Sequence, residues 1–401
     1  MKKIITLLLV LLLAGCGTNW ERIFVDNSNS SQTYGVWLSY LDINEMLNGK
    51  SESEYHQNVQ TMMANLESLG INRIYAHVSM FTDAIYESEY YPWSKYVNGS
   101  IDKKAKYDPL EILISEAQLR QIQVEAWLNP LRSYTKKEFE QVPNSFLIKQ
   151  WYNDKELRSR NLMLVDGRYY MNPGSQDVVE MIDGFVKELC SKYQIQGVHI
   201  DDYFYPSGMK DSMDEITYLE YLNENPETSV ADYRRAMSDR LVSTMYQTIK
   251  NTNHSLIFSI SPSANIDTNY NSYYADVIKW TKETGYCDVM IPQVYFGFEN
   301  GAMPFEDTVT MWEESVGNKV KLVYGLAAYK VGEEDAYAKS GKYEWQENVD
   351  ILSRQVQFVK EQDHYGGVAF YRYYSMFYPK TSVKQQMKLE LSKLKEVLNN
   401  Y

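Results

Sequence analysis

The feature that most limits what this chain can fold into is an eightfold alternation of two patterns. Short β-branched or aromatic runs recur at residues 35–39, 73–78, 123–128, 197–200, 256–260, 288–291, 322–326 and 368–371, and amphipathic stretches separate them. The clearest such stretches are 54–69, 109–120, 176–193, 231–250, 347–360 and 383–398. Parallel strands cannot be joined by a tight hairpin; each pair needs a crossover, and a helix is the usual one. Eight strand–helix units in a row predict an α/β protein whose main body is a single (β/α)8 barrel. Connection lengths point the same way. Helix-to-strand links such as Leu69-Gly70-Ile71-Asn72 and Tyr193-Gln194-Ile195-Gln196 are tight, whereas the strand-to-helix segments near 79–108, 129–173, 201–230 and 327–345 are long. Long loops at the carboxyl ends of the strands are where a barrel of this kind builds a site.

The amino terminus carries a different signal. Met1-Lys2-Lys3 and the apolar run 4–14 have the charged start and short hydrophobic stretch of an export signal, too short to span a bilayer. The run closes on Leu13-Ala14-Gly15-Cys16, which resembles the bacterial lipobox and implies an acylated Cys16 at the start of the mature protein. Residues 1–15 are thus expected as signal, 16–33 as a flexible Asn- and Ser-rich tether, and 34–401 as the barrel. The expected location is outside the cytoplasmic membrane, held by lipid on its outer face or on an outer membrane. Cys190 and Cys287 sit among apolar residues and are expected as buried free thiols.

A net charge of −13 with no cluster of Lys or Arg argues against nucleic acid or an anionic lipid surface as the main ligand. The chain holds 35 tyrosines, 8 tryptophans and 13 phenylalanines, many in segments that read as loops. Exposed aromatic faces suit stacking on sugar rings, so polysaccharide is the expected partner, for a monomer needing neither cofactor nor metal.

Strand parity sorts the polar residues, because the helix-facing set of a barrel strand is apolar and the alternate set points inward. In 73–78 the apolar set is Ile74, Ala76 and Val78, leaving Tyr75 and His77 inside. In 123–128 it is Val124, Ala126 and Leu128, which turns Glu125, Trp127 and Asn129 inward. Val198 and Ile200 leave His199 and Asp201 on the inner side, with Asp202 just past the strand end, while Gln293 and Tyr295 lie at the mouth of the sixth strand. Glycoside hydrolysis needs one carboxylic acid to protonate the leaving oxygen and a second group to attack or stabilise an oxocarbenium-like centre. Asp201, Asp202 and Glu125 are the catalytic candidates. Adjacent residues aim differently, so Asp201 and Asp202 make a poor opposed pair, and Glu125 is the expected partner of Asp201. Substrate contacts are expected from His77, Trp93, Asn129, Arg132, His199, Tyr203, Gln293, Tyr295 and Arg372.

At these residues the chain resembles the glycosyl-hydrolase-like family 10 group of bacterial lipoproteins, over most of its mature length. The blocks that carry the resemblance include Gly35-Val36-Trp37-Leu38, Tyr91-Pro92-Trp93-Ser94, Tyr107-Asp108-Pro109-Leu110, Ala126-Trp127-Leu128-Asn129-Pro130, Gly197-Val198-His199-Ile200-Asp201-Asp202-Tyr203, Pro292-Gln293-Val294-Tyr295 and Gly325-Leu326-Ala327-Ala328-Tyr329. The resemblance implies a barrel hydrolase of cell-surface glycan centred on Asp201-Asp202. Two segments depart from the family pattern: Val78-Ser79-Met80-Phe81, where an Arg-Pro pair is common, and Phe370-Tyr371-Arg372-Tyr373-Tyr374, whose Arg372 is a candidate to restore a positive charge at the cleft. The fourth strand also resembles that of chitinase-type barrels, in which the acetamido group of the substrate acts as nucleophile; Tyr295 and Asp201 would then orient that group. Two rivals remain: a glycan-binding lipoprotein without catalysis, and a metal-dependent deacetylase built on His77, His199 and Asp201.

Overall fold

The computed structural model describes residues 32–399, so the expected export signal, the lipobox cysteine Cys16 and nearly all of the tether lie outside the described residues. The strands run β1 (Thr33–Leu38), β2 (Arg73–Ser79), β3 (Gln123–Leu128), β4 (Arg132–Thr135), β5 (Leu162–Val165), β6 (Arg168–Met171), β7 (Gly197–Ile200), β8 (Ile257–Ile260), β9 (Val289–Met290), β10 (Lys321–Leu326) and β11 (Tyr365–Phe370). Eight of them close a barrel in the order β1-β2-β3-β7-β8-β9-β10-β11, and every neighbouring pair is parallel. The expected (β/α)8 barrel is what forms. β9 is only two residues long because Pro292 has no N–H to extend the ladder.

Helices cover the barrel, and their boundaries follow local chemistry. Before Glu52–Leu69, Ser51 and Glu54 satisfy one another's backbone N–H groups in a capping box, and Gly70 ends the helix with φ +80°, a left-handed conformation natural to glycine. Tyr55, Val59, Met62, Met63, Leu66 and Leu69 then face inward at three- and four-residue spacing. The stretch expected as one helix over 347–360 is two, Glu344–Glu347 and Ile351–Lys360.

One expectation needs correcting in kind. The segment 129–173 is not a plain loop: β4, β5 and β6 form a three-stranded antiparallel sheet in the order β4-β6-β5, interleaved with short helices. Four-residue strands are too short to announce themselves by alternation. This sheet carries Arg132 and Arg168 to the barrel mouth.

The barrel interior is filled by side chains in layers. Trp37, Tyr75, Trp127, Ile291, Val323 and Ala369 pack together there. Room for the rings comes from inward glycines: a Cβ on Gly35 would stand 2.6 Å from Tyr75 Cε2. Cys190 and Cys287 are both buried and free, and burial pushes the Cys190 thiol up to about 12.

Candidate active site

Asp201 follows directly on β7, at the carboxyl end of the barrel. Its carboxylate is 5% exposed and accepts two hydrogen bonds, from the indole N–H of Trp127 (3.0 Å) to Oδ2 and from the backbone N–H of Tyr203 (3.2 Å) to Oδ1. Burial, and then the charge of Asp202, push its carboxyl up to about 8; the two hydrogen bonds and the Arg132 charge pull the other way without prevailing. Asp202 is also raised by burial, against a hydrogen bond from Gln293 and the Arg132 guanidinium. Neighbouring carboxyls in this setting titrate as a pair, which keeps one proton near neutrality.

Trp127, which donates to Asp201, is itself held face to face on His77, with ring centres 3.8 Å apart and planes 11° from parallel. Its inward parity is legible in the sequence; its hydrogen bond to Asp201 is not. His77 is 3% exposed, and burial, together with the Arg132 charge, keeps its ring neutral against a backbone hydrogen bond with Ser79.

Around the pair stands a wall of rings. Tyr295, Tyr329 and Tyr371 meet pairwise at 5.8 Å, and Tyr371 lies 6.1 Å from Trp37. Tyr203 and Tyr329 are 42% and 40% exposed, so at the mouth their faces are open to a ligand. Arg132 projects across Tyr203 and Phe81, its guanidinium carbon 4.4 and 4.9 Å from their ring centres. Gln293 also donates to the carbonyl of Ser261 (2.9 Å), which fixes the amide that faces Asp202. Asn129 acts through the backbone: its side-chain oxygen accepts from Arg132 N–H (3.2 Å) and shapes the turn that brings Arg132 in.

Several expected residues are not brought to this place. Glu125, the expected partner of Asp201, lies too deep. It pairs in register with Gly197, and Asp201 is four residues further along the same strand, about 13 Å at 3.3 Å per residue. There it is ion-paired with Arg73 and accepts from Ser259 Oγ, 1% exposed. His199 belongs to the same buried chain. Its Nε2 accepts from Trp37 Nε1 (3.0 Å), so its N–H is on Nδ1 and donates to Ser259 Oγ (2.8 Å). Burial holds it down at about 3, so it is neutral and both nitrogens are engaged. That leaves His199 no lone pair for a metal, so the ligand set of the rival deacetylase reading, His77, His199 and Asp201, does not assemble. Arg372 does not add a free charge at the cleft, because it is paired with Asp42 at 2.7 Å. Trp93 packs in the core beneath the β2 loop with its N–H on Glu87 (3.0 Å), away from the acid pair.

A closed parallel barrel with a buried pair of carboxyls and a ring-lined mouth at its carboxyl face defines a glycoside-hydrolase-type site. The family model described as Glycosyl hydrolase-like 10 matches residues 32–343, and the chain belongs to that family. It is similar to Glycosyl hydrolase YngK of Bacillus subtilis (strain 168), 28% identical over 365 residues, which cover 85% of this chain and 69% of that protein. It is also similar to Glycosyl hydrolase DigH of Escherichia coli (strain K12), 32% identical over 288 residues, covering 67% of this chain and 65% of that one. Among solved structures, the PgaB (BpsB) glycoside hydrolase domain from Bordetella bronchiseptica superimposes with a TM-score of 0.59 at 12% identity, over 92% of this chain and 99% of that one. A cyclic α-maltosyl-(1→6)-maltose hydrolase from Arthrobacter globiformis gives 0.56 at 8% identity, over 92% and 81%. At such identities the structural likeness speaks for the fold alone.

Proposed function

We propose that the protein is a glycoside hydrolase that cuts a cell-wall or related polysaccharide containing N-acetylhexosamine, with Asp201 as the acid. The observation that carries this reading is the buried Asp201–Asp202 pair at the carboxyl end of β7, beneath a ring-lined mouth, where burial and the neighbouring carboxyl push Asp201 up to about 8, the setting a general acid needs near neutrality.

The mechanism follows from what else is within reach. Two-carboxylate glycosidases hold their groups about 5–5.5 Å or 6.5–9.5 Å apart on opposite sides of the scissile bond. Consecutive residues at one strand end do not straddle a sugar ring. Other buried carboxylates near this face are committed: Asp42 to Arg372 and to the Ser39 and Tyr374 N–H groups, Asp83 to the Met80 and Phe81 N–H groups, Glu344 to those of Phe298 and Glu299. The nucleophile that remains is the acetamido oxygen of the substrate, a recognised exception to the two-carboxylate scheme. It attacks the anomeric carbon as the glycosidic C–O bond breaks, and the leaving oxygen takes the Asp201 proton. Asp202, ionised, accepts the acetamido N–H and stabilises the positive oxazolinium ion; Tyr295 closes the far side. Water then opens that ion, with net retention of configuration.

The test is incubation of purified glycan strands, with and without stem peptides, followed by mass analysis of released fragments. Asp201→Asn and Asp202→Asn are expected to abolish release while strands are still retained. Folded variants that both keep full activity would sink the reading, and a wild type that retains strands yet releases nothing would make this a binding protein. As part of the same proposal, the enzyme works outside the cell on a lipid attached at Cys16; radiolabelled palmitate should enter the wild type and not Cys16→Ser.

A further inference from the structure

The three tyrosines that wall the candidate site are not supported alike. Tyr371 follows directly on β11 and donates its N–H to the carbonyl of Leu326 on β10, so the barrel ladder carries it into place. Tyr295 has no such strand beneath it. β9 stops at Met290, and the last ladder contact of that segment is at Gln293, which bridges to Ser263 and Gly325. Beyond it the Tyr295 N–H turns back on the carbonyl of Gln293, 2.8 Å away.

What fixes Tyr295 comes from the loop after β10. The Nζ of Lys330 donates to the Tyr295 carbonyl (2.7 Å) and to Asp335 Oδ2 (2.5 Å). The preceding residue, Tyr329, donates its backbone N–H to the carbonyl of Tyr371 (3.0 Å) and sets its own ring against both Tyr295 and Tyr371. Two consecutive residues therefore hold the main chain under each of the other two rings. Further along the same loop Glu344, 2% exposed, accepts from the N–H groups of Phe298 (2.8 Å) and Glu299 (3.0 Å). Gly297 leaves room for that carboxylate, since a Cβ there would stand 1.9 Å from its Oε2.

Stability alone does not account for the Lys330–Asp335 pair. Both side chains are largely buried, and a buried ion pair is often matched or bettered by neutral side chains of similar size. What the pair supplies is placement, because the carboxylate holds the ammonium on one side and the Tyr295 carbonyl receives it on the other. The segment so fixed also carries Gln293, whose amide faces Asp202.

We propose that Lys330 is a positioning residue: with Asp335 it clamps the Tyr295 carbonyl, and so sets the gap between the Tyr295 ring and Asp202 in which the reacting acetamido group is held. This rests on the hydrolase reading above and adds to it a residue that acts only through Tyr295.

The experiment uses the full chain and compares the wild type with Lys330→Met, Lys330→Arg, Asp335→Asn and the double variant Lys330→Met/Asp335→Asn. Strand cleavage gives kcat and KM, and hydrogen exchange read by mass spectrometry reports the segment 294–301. Lys330→Met alone leaves Asp335 buried without its cation and can fail to fold for that reason; the double variant removes both charges and keeps the test open. A misplacement of about 1 Å at a reacting centre costs on the order of a hundredfold in rate, so kcat of the double variant should fall about ten- to a hundredfold while KM stays within about threefold. Exchange over 294–301 should quicken and that of the barrel strands should not. Asp335→Asn leaves Lys330 on the Tyr295 carbonyl and should keep kcat within about threefold, and Lys330→Arg should recover part of the loss. A folded double variant with wild-type kcat, or with exchange over 294–301 unchanged, would overturn the clamp. A wild type that cleaves nothing, beside a double variant whose 294–301 segment exchanges faster, would instead overturn the hydrolase reading and leave the clamp on Tyr295 standing.

Discussion

Replacing Trp127 by Phe isolates the interaction that most directly governs the acid. The substitution keeps an aromatic ring on His77 and removes the N–H that donates to Asp201 Oδ2 at 3.0 Å. That hydrogen bond favours the ionised carboxylate, so its loss shifts the balance toward the protonated form. A hydrogen bond to a charged acceptor is worth about 1.5–3 kcal/mol, and one pH unit corresponds to about 1.4 kcal/mol. A water entering the space left by the indole recovers part of this, so the expected displacement is about one pH unit, upward. The proposed acid must be protonated to act, and the rate of the wild type is therefore expected to fall as pH rises through about 8. In Trp127→Phe that alkaline limb of kcat/KM moves to higher pH, while kcat on the plateau drops because the carboxyl has lost one of its two tethers. The assay is a pH profile of strand cleavage for both proteins, with circular dichroism to verify folding. The limb reports the Asp201–Asp202 pair, so its direction is the decisive reading. A limb that stays in place, or moves toward lower pH, would refute the argument that this indole holds the acid.

Two further outcomes follow from the same geometry. Asp201→Asn should make the protein more stable above neutrality: the native state keeps a proton that the unfolded chain has released between the model value of 3.8 and about 8, so wild-type stability falls as pH rises through that window, and Asn removes this slope. Thermal melts of both proteins at acid and alkaline pH check it; equal slopes would contradict the raised carboxyl. Glu125→Gln should cost about 3–5 kcal/mol in urea denaturation, since it strands Arg73 as a buried unpaired charge, while kcat per folded molecule is kept. A collapse of kcat with unchanged stability would return Glu125 to the list of acids.

The barrel was legible because its helices and strands carry their burial pattern in their own spacing, and because parity decides which side of a strand is wet. Tyr75, His77, Glu125, Trp127 and His199 were all assigned inward and all are buried inside. The small sheet of β4, β5 and β6 is only half legible: β5 and β6 pair locally across the Asp166-Gly167 turn, a hairpin signal the sequence does carry, whereas β4 joins β6 through residues more than thirty apart. The partner of Arg372 was hidden for a related reason: Asp42 stands 330 residues away in sequence and meets it only because β1 and β11 close the barrel side by side.

The error over Glu125 has a more general cause. Parity gives the side of a strand but not the height, and function in a barrel depends on height. Inward residues two apart on a strand differ by about 6.6 Å along it, so Glu125, Trp127 and Asn129 occupy three successive levels although the sequence pattern treats them alike. The register between β3 and β7 sets Trp127 opposite His199 and Glu125 opposite Gly197. The levels below the mouth are where Arg73, Glu125, Ser259 and His199 bond to one another and act as struts. Two levels above Glu125, the same kind of carboxyl is still buried yet stands next to the loops of the mouth. The indole of Trp127 links the two regimes, since it is packed like a core residue and hydrogen-bonded to the acid. The height of a carboxyl above the barrel floor, more than its identity as Asp or Glu, separates the proposed acid from its support.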